Sequence, residues 1–234
     1  LSDLERQSIE VAKAAGRLLM RYRHRRDYRT KPDDSVQTPA DIAAEKLVHR
    51  AAVHLTPEAG FLGEETHQPA PPTGLLWICD PLDGTTNFLR GLPVWGVSLA
   101  ILQDAKPLVG VVHMPLLRET FSASYGCGAR LNGKPISVSP SQGALYSDIY
   151  SISSRQWKDY AVPGQTSTLR CLGSCAYHLA LLASGRLVGA WEYNPKIWDI
   201  AAGVLIAREA GGIVQGMDGS KYEDFSESLS APGR

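Results

Sequence analysis

Residues 77–88 read WICDPLDGTTNF, the densest concentration of unusual chemistry in the chain. The run that leads into it, LLWICD (75–80), is almost wholly apolar and ends in a carboxylate, the pattern of a short buried strand. Asp80 and Asp83 flank Pro81 and Leu82 at its exit. Pro81 has no N–H and restricts the residue before it, so neither a regular ladder nor a helix can run through Asp80. Two carboxylates placed this way repel unless a cation lies between them, and the bend at Pro81 would turn the Leu82 carbonyl toward both. Carboxylate and carbonyl oxygens together suit a hard divalent cation. Gly84-Thr85-Thr86-Asn87 then allows close backbone approach and offers N–H groups at a helix start, so an anion site would abut the cation site. The plain alternative is an Asp-rich turn with Asp83-Gly84 as ordinary turn residues.

Four further acids bear on the choice. Glu64 and Glu65 follow Gly63 at the end of a short apolar stretch and could be a solvated acidic turn. Asp199 in IWDIAAG and Asp41 in TPAD both fit acids favoured at a helix start. Each local reading is sufficient alone. Jointly, Glu64, Asp80, Asp83 and Asp199 could give one cluster four carboxylates.

Outward from this centre, the chain reads first as helices, then as a sheet. Residues 4–22 carry apolar positions near a helical period, and Thr38-Pro39 starts a helix predicted to reach residue 55. FLGEE (61–65) is a short strand or loop, followed by a Pro-rich loop over 67–74. Residues 94–102 and 107–114 form a predicted hairpin, 119–125 a strand, and Asn132-Gly133 the strongest hairpin turn in the chain. From about residue 140 strands at 147–152 and 187–193 alternate with helices capped by Ser174 and over 198–210, an α/β second half. The expected division is 1–139, an α+β metal-binding half, and 140–234, a C-terminal α/β half, within one compact catalytic unit.

Composition excludes more than it names. The 234 residues carry 24 basic and 24 acidic side chains, which argues against a nucleic-acid coater or a polybasic membrane binder. With 44% hydrophobic residues the chain is too apolar for disorder, and no run approaches the roughly 20 residues of a membrane helix. The opening LSDLERQSIE lacks the apolar core of a signal peptide. Cys79, Cys127, Cys171 and Cys175 are too sparse for a disulfide framework, so reduced thiols and a cytoplasmic location are expected. The basic cluster Arg21, Arg23, His24, Arg25, Arg26 and Arg29 is read as a solvated helix end rather than a polyanion grip.

The sequence resembles the inositol monophosphatase family of magnesium-dependent, lithium-sensitive phosphatases. GEE at 63–65, WICDPLDGTTNF at 77–88 and WDIAAGVLIAREAGG at 198–212 carry the resemblance, joined by TPAD at 38–41 and GARLNG at 128–133, in family order along nearly the whole chain. It implies an α/β (α+β) fold, a layered α-β-α-β-α sandwich of the sugar-phosphatase type. It implies two or three Mg2+ ions: Glu64, Asp80 and the Leu82 carbonyl on the first, Asp80, Asp83 and Asp199 on the second, Glu64 again on a weaker third. Thr85 with Asp41 would orient the attacking water, and Glu64 would share in catalysis. Gly84 and Thr85 would hold the phosphate, with Asp83 and Asp199 beside the substrate. Gly173, Ser174 and Cys175, with Cys where Ala is commoner, and Glu192, seven before Asp199, would touch substrate hydroxyls. For Glu192 a surface acid at a strand end is an equally good reading. The TTN after Asp83-Gly84 favours the inositol or fructose phosphatase branch.

The expected function is therefore magnesium-dependent hydrolysis of a small polyol or sugar phosphate, foremost inositol 1-phosphate, by a homodimer with no nucleic-acid or membrane partner. Fructose-1,6-bisphosphatase and histidinol-phosphate phosphatase are the enzymatic alternatives, and a degenerate metal- and phosphate-binding module the non-enzymatic one. Departures from the family pattern are the short stretch 153–168, the short segment after Asp199, and Cys79 beside Asp80.

Overall fold

In the computed structural model of the protein, residues 2–32, 34–66, 73–140, 147–153, 168–216, 219–220, 222 and 224–230 are described. The Pro-rich loop expected at 67–74 and the short stretch at 153–168 fall largely outside them.

Helix α1 (Asp3–Tyr22) begins at Ser2, whose hydroxyl accepts the Glu5 N–H, and it carries acids in its first turn and Arg21 in its last, as the helix dipole favours. A two-residue ribbon, β1 (Arg29–Thr30) with β2 (Val36–Gln37), leads into α2 (Pro39–Leu55). Strands β3 (Gly60–Gly63) and β4 (Leu75–Asp83) lie parallel, and the six-residue helix α3 (Thr85–Arg90) follows at once. Then come β5 (Gly96–Gln103), β6 (Lys106–Met114), β7 (Glu119–Ser124), β8 (Ala129–Leu131) and β9 (Lys134–Ile136). The last part holds β10 (Ile149–Ile152), β11 (Thr168–Arg170), α4 (Cys175–Ala183), β12 (Gly189–Trp191), α5 (Ile197–Glu209) and α6 (Ser226–Ser230).

The large sheet runs in sequence order from β3 to β9, and every neighbouring pair after β3–β4 is antiparallel. That order is what short hairpin links produce. Asn132-Gly133 turns β8 into β9 with both residues at positive φ, and Asp104-Ala105 does the same between β5 and β6. A second sheet, ordered β11-β10-β12, is wholly parallel.

Alternation along β4 sends successive side chains to opposite faces. Trp77 and Cys79 join Val97, Leu99 and Ile101 in a core beneath α1 and α2. Leu76 and Ile78 join Ala100 and Leu102 in the core shared with α4 and α5. The large sheet is thus covered by helices on both faces, and α4 packs in turn beside β12 of the small sheet. The result is a mixed α/β layering of helix, sheet, helix and sheet. Glycine allows close contact between sheet and helix: a Cβ on Gly110 of β6 would come within 2.7 Å of the Ala202 carbonyl of α5. Among the described residues no helix is long and apolar enough to cross a membrane.

Several strands are shorter than the sequence predicts: 147–152 is a strand only over Ile149–Ile152, and 119–125 only over Glu119–Ser124. The run at 94–102 enters the ladder only at Gly96, because the Val94 carbonyl is taken by the Asn87 side chain. The run at 187–193 is a strand only over Gly189–Trp191; the Glu192 side chain turns to His178.

Candidate active site

Pro81 breaks the β4 ladder as its chemistry requires. Asp80 pairs with Ser98 and Asp83 with Gly96, so three steps along β4 match two along β5. The bulge turns the intervening groups to local partners. Asp80 Oδ1 accepts the Leu82 N–H at 2.9 Å, and the Leu82 carbonyl accepts the Thr85 hydroxyl at 2.9 Å. Gly84 follows at φ 87°, where a Cβ would stand 2.8 Å from the Val94 carbonyl, so only glycine fits. It starts α3 without any side-chain cap.

Asp41 and Asp199 each stand third in their helix and accept the backbone N–H of the residue before its first turn, Thr38 at 2.8 Å and Lys196 at 2.8 Å. The capping roles are real, yet each uses only one carboxylate oxygen. The other oxygen of Asp41 faces Thr85 Oγ1 at 3.3 Å. Asp83 is held from the second half of the chain: Ser174 Oγ donates to its Oδ2 at 2.5 Å and the Ala176 N–H at 2.8 Å. Ser174 is also the cap of α4, accepting the Tyr177 N–H.

Electrostatics ties these acids into one group. Burial pushes the Asp80 carboxyl well above the usual range, and Glu64, Asp83 and Asp199 push it further. Burial and then Asp83 raise Asp199 to about 8. Burial raises Asp83 to about 6 against the pull of its Ser174 and Ala176 donors, and raises Asp41 to about 6 against its Thr38 bonds. Burial followed by Glu192, Asp199, Asp83 and Asp80 pushes the Cys175 thiol up, so the wall of the second half lies within reach of the same charges. As the side chains lie, no three Asp, Glu, His or Cys groups among the described residues stand at chelating spacing. Each carboxylate is instead satisfied by a nearby donor.

The donor set fits hard divalent cations. Several buried carboxylates that raise one another's proton affinity lack enough positive charge, which is the condition a bound cation relieves.

Several residues at the site were not picked out from the sequence. Lys31 reaches Glu64 Oε1 at 2.7 Å and Glu65 Oε1 at 3.0 Å. Burial opposes its charge, but Glu64 and Glu65 outweigh that and raise its pKa. Glu65 is raised to about 7 by burial and Glu64, and bonds Gln37 as well. Glu45 Oε2 accepts the Glu65 N–H at 2.7 Å and fills the space a side chain on Gly63 would need. Its signal was visible: Glu45 stands four after Asp41, on the same buried face of α2. His178, described below, had no such signal, and Asn87 stood out only as part of the GTTN stretch, without its partners. Glu192 is bound to His178 rather than lying at a free strand end.

The model of the inositol monophosphatase family matches residues 1–232 of this chain. Inositol monophosphatase 2 of Solanum lycopersicum is 37% identical over 96% of this chain and 91% of its own length. A fructose-1,6-bisphosphatase/inositol-1-monophosphatase of Thermotoga maritima is 34% identical over 95% of this chain and 88% of its own. Among solved structures, the Thermotoga maritima IMPase TM1415 superposes with a TM-score of 0.88 at 32% identity, covering 96% of this chain and 90% of that one.

Proposed function

The chain belongs to the inositol monophosphatase family, a family of metal-dependent phosphatases, and on that premise we propose that this phosphatase acts on a small polyol or sugar phosphate, foremost inositol 1-phosphate. One observation carries the reading: Asp80, Asp83 and Asp199, drawn from both halves of the chain, are buried within each other's electrostatic reach with too little positive charge between them.

Magnesium is the proposed cation, with Glu64, Asp80, the Leu82 carbonyl, Asp83 and Asp199 as the residues that would hold two or three ions. When bound, magnesium supplies Lewis-acid polarisation and neutralises the dianionic phosphate. The protein's own groups do the rest. Gly84 lets the start of α3 pack against the Val94 and Gly173 carbonyls, and the Gly84 and Thr85 backbone would hold the phosphate. Thr85 Oγ1, tied to Asp41, orients the attacking water, and Asp41, raised to about 6, is suited to take the proton. Ser174 and Ala176 hold Asp83, so residues 1–139 and 140–234 act as one catalytic unit. Gly173, Ser174, Cys175 and Glu192 form the hydroxyl-binding wall. A homodimer, as the family resemblance implies, and a cytoplasmic location, as the sparse cysteines suggest, complete the proposal.

A second reading, activity on fructose 1,6-bisphosphate as well, is favoured by the relative named for both activities. The test is phosphate release with and without magnesium over inositol 1-phosphate, fructose 1,6-bisphosphate, histidinol phosphate and a nucleotide monophosphate, ranked by kcat/KM. No magnesium-dependent release from any of them would defeat the reading and favour a binding module.

A further inference from the structure

His178 lies on α4 and is 1% exposed, yet both of its ring nitrogens are engaged. Nε2 stands 3.1 Å from the backbone N of Leu172, which can only donate, so Nε2 is the acceptor. The ring proton therefore sits on Nδ1, which lies 2.5 Å from Glu192 Oε1 and donates to it. Leu172 is held at its other end too: Asn87 Nδ2 donates to the Leu172 carbonyl at 2.8 Å and to the Val94 carbonyl at 2.7 Å. An unbroken chain, Asn87 to Leu172 to His178 to Glu192, joins α3, the loop before α4, α4 itself and the residue that follows β12. The charge of Glu192 is felt at Asp83, Asp199 and Cys175, so its carboxylate belongs to the wall of the acid cluster.

We propose that His178 is a positioning residue that fixes Glu192 as the acceptor for a substrate hydroxyl, and that this clamp selects polyol and sugar phosphates over phosphate esters without hydroxyls. The inference rests on the phosphatase reading above. A glutamate free to rotate must be ordered each time a hydroxyl binds, and that ordering subtracts from affinity. His178 orders it beforehand by occupying one oxygen, which leaves the other for the substrate. A charge-assisted bond from a substrate hydroxyl to a fixed carboxylate is strong. A site built for such a bond discriminates against an analogue that lacks the hydroxyl, because its own polar group is then left unpaired. Asn87 and Leu172 serve the same end from behind, since the Leu172 N–H sets which ring nitrogen carries the proton.

The experiment compares wild type, His178→Leu and His178→Asn with magnesium on inositol 1-phosphate, or whichever hydroxyl-bearing phosphate the wild type prefers, and on p-nitrophenyl phosphate. Leucine removes donor and acceptor together; asparagine offers one of each. His178→Leu is expected to raise KM for the hydroxyl-bearing substrate by about tenfold or more relative to its effect on the aryl phosphate, with kcat moving far less, and His178→Asn to recover most of the loss. An equal KM loss on both substrates, or none on either, would overturn the proposal. A second measurement needs no turnover: NMR of isotope-labelled histidine should find the proton on Nδ1, with a resonance that moves in Glu192→Gln. A proton on Nε2, or a ring indifferent to Glu192→Gln, would overturn the clamp. If the wild type hydrolyses no phosphomonoester at all, it is the phosphatase reading that fails, and the NMR result alone decides whether the clamp exists.

Discussion

Thr85 Oγ1 lies 3.3 Å from Asp41 Oδ1 although the two residues are 44 positions apart and sit at the starts of different helices. Thr85 shares its single proton between Asp41 and the Leu82 carbonyl at 2.9 Å. In the proposed mechanism its oxygen keeps a lone pair for the attacking water, and Asp41 receives the charge. Thr85→Ala should lower kcat by about 10²–10⁴ with little change in KM, the range for loss of a positioned proton-transfer group. Thr85→Ser should retain most activity. Steady-state kinetics with excess magnesium separates the two, and equal damage from both variants would count against the assignment.

Asp41 also shows where reading the sequence sufficed and where it stopped. The TPAD motif predicted a capped helix, and the capping box is there. The capping role and the proposed catalytic role are compatible because they use different carboxylate oxygens, which a sequence does not specify. The bulge at Pro81 was legible because a missing N–H is a local fact. The partners of Glu64 and Glu192 were not. Lys31 stands 33 positions before Glu64, and His178 14 positions before Glu192, and only the packing of separate elements brings them together. A strand that ends early, as β12 does, likewise reflects a tertiary contact that overrides local propensity.

Asp80 is the acid most crowded by others, since Glu64, Asp83 and Asp199 all raise its pKa beyond the effect of burial. Asp80→Asn should abolish magnesium-dependent turnover with the fold intact. In chelator the same variant should be more stable than wild type, because asparagine is free of the cost of burying a carboxylate or of holding it protonated above its ordinary pKa. A gain of about 1–3 kcal/mol is expected, or a rise of several degrees in Tm. Calorimetry in chelator and phosphate release in magnesium check the two halves. Full activity in the variant would remove Asp80 from the proposed metal site.

The raised carboxylates give the metal-free protein a distinctive pH dependence. A carboxylate whose folded pKa lies above its unfolded value holds its proton more tightly in the folded state. Its contribution is present at low pH and lost as pH rises through the folded pKa. That contribution is complete below the ordinary carboxylate range, so Glu65 at about 7 and Asp199 at about 8 spread the loss from about pH 4 up to about pH 7–8, with pH 6.5 to 8 as its upper part. His113 works in the opposite sense and in a lower window. Burial pushes it down to about 4, so its contribution is present above 6.5 and lost as pH falls toward 4. In chelator, stability should therefore fall by about 1–2 kcal/mol from pH 6.5 to 8, and magnesium should flatten that slope by taking the place of the protons. Thermal unfolding at several pH values with chelator or magnesium would show it; an identical slope in both would refute it.

Ser174 couples the halves of the site to the stability of the fold. Its hydroxyl caps α4 by accepting from Tyr177 and donates its proton to Asp83 Oδ2 at 2.5 Å. Ser174→Ala removes both. The lost cap should cost about 1 kcal/mol, a fall in Tm of about 2–4 °C for a chain of this size. The lost donor also leaves Asp83 holding its proton more tightly, because that bond is the largest influence pulling its pKa down. A cation must then displace a more tightly held proton, so the magnesium concentration for half-maximal activity should rise severalfold near neutral pH and recover as pH is raised. Ser174→Thr keeps the hydroxyl and should behave like wild type in both respects. A purely structural Ser174 would lower Tm in Ser174→Ala while leaving the magnesium requirement and its pH dependence where they were.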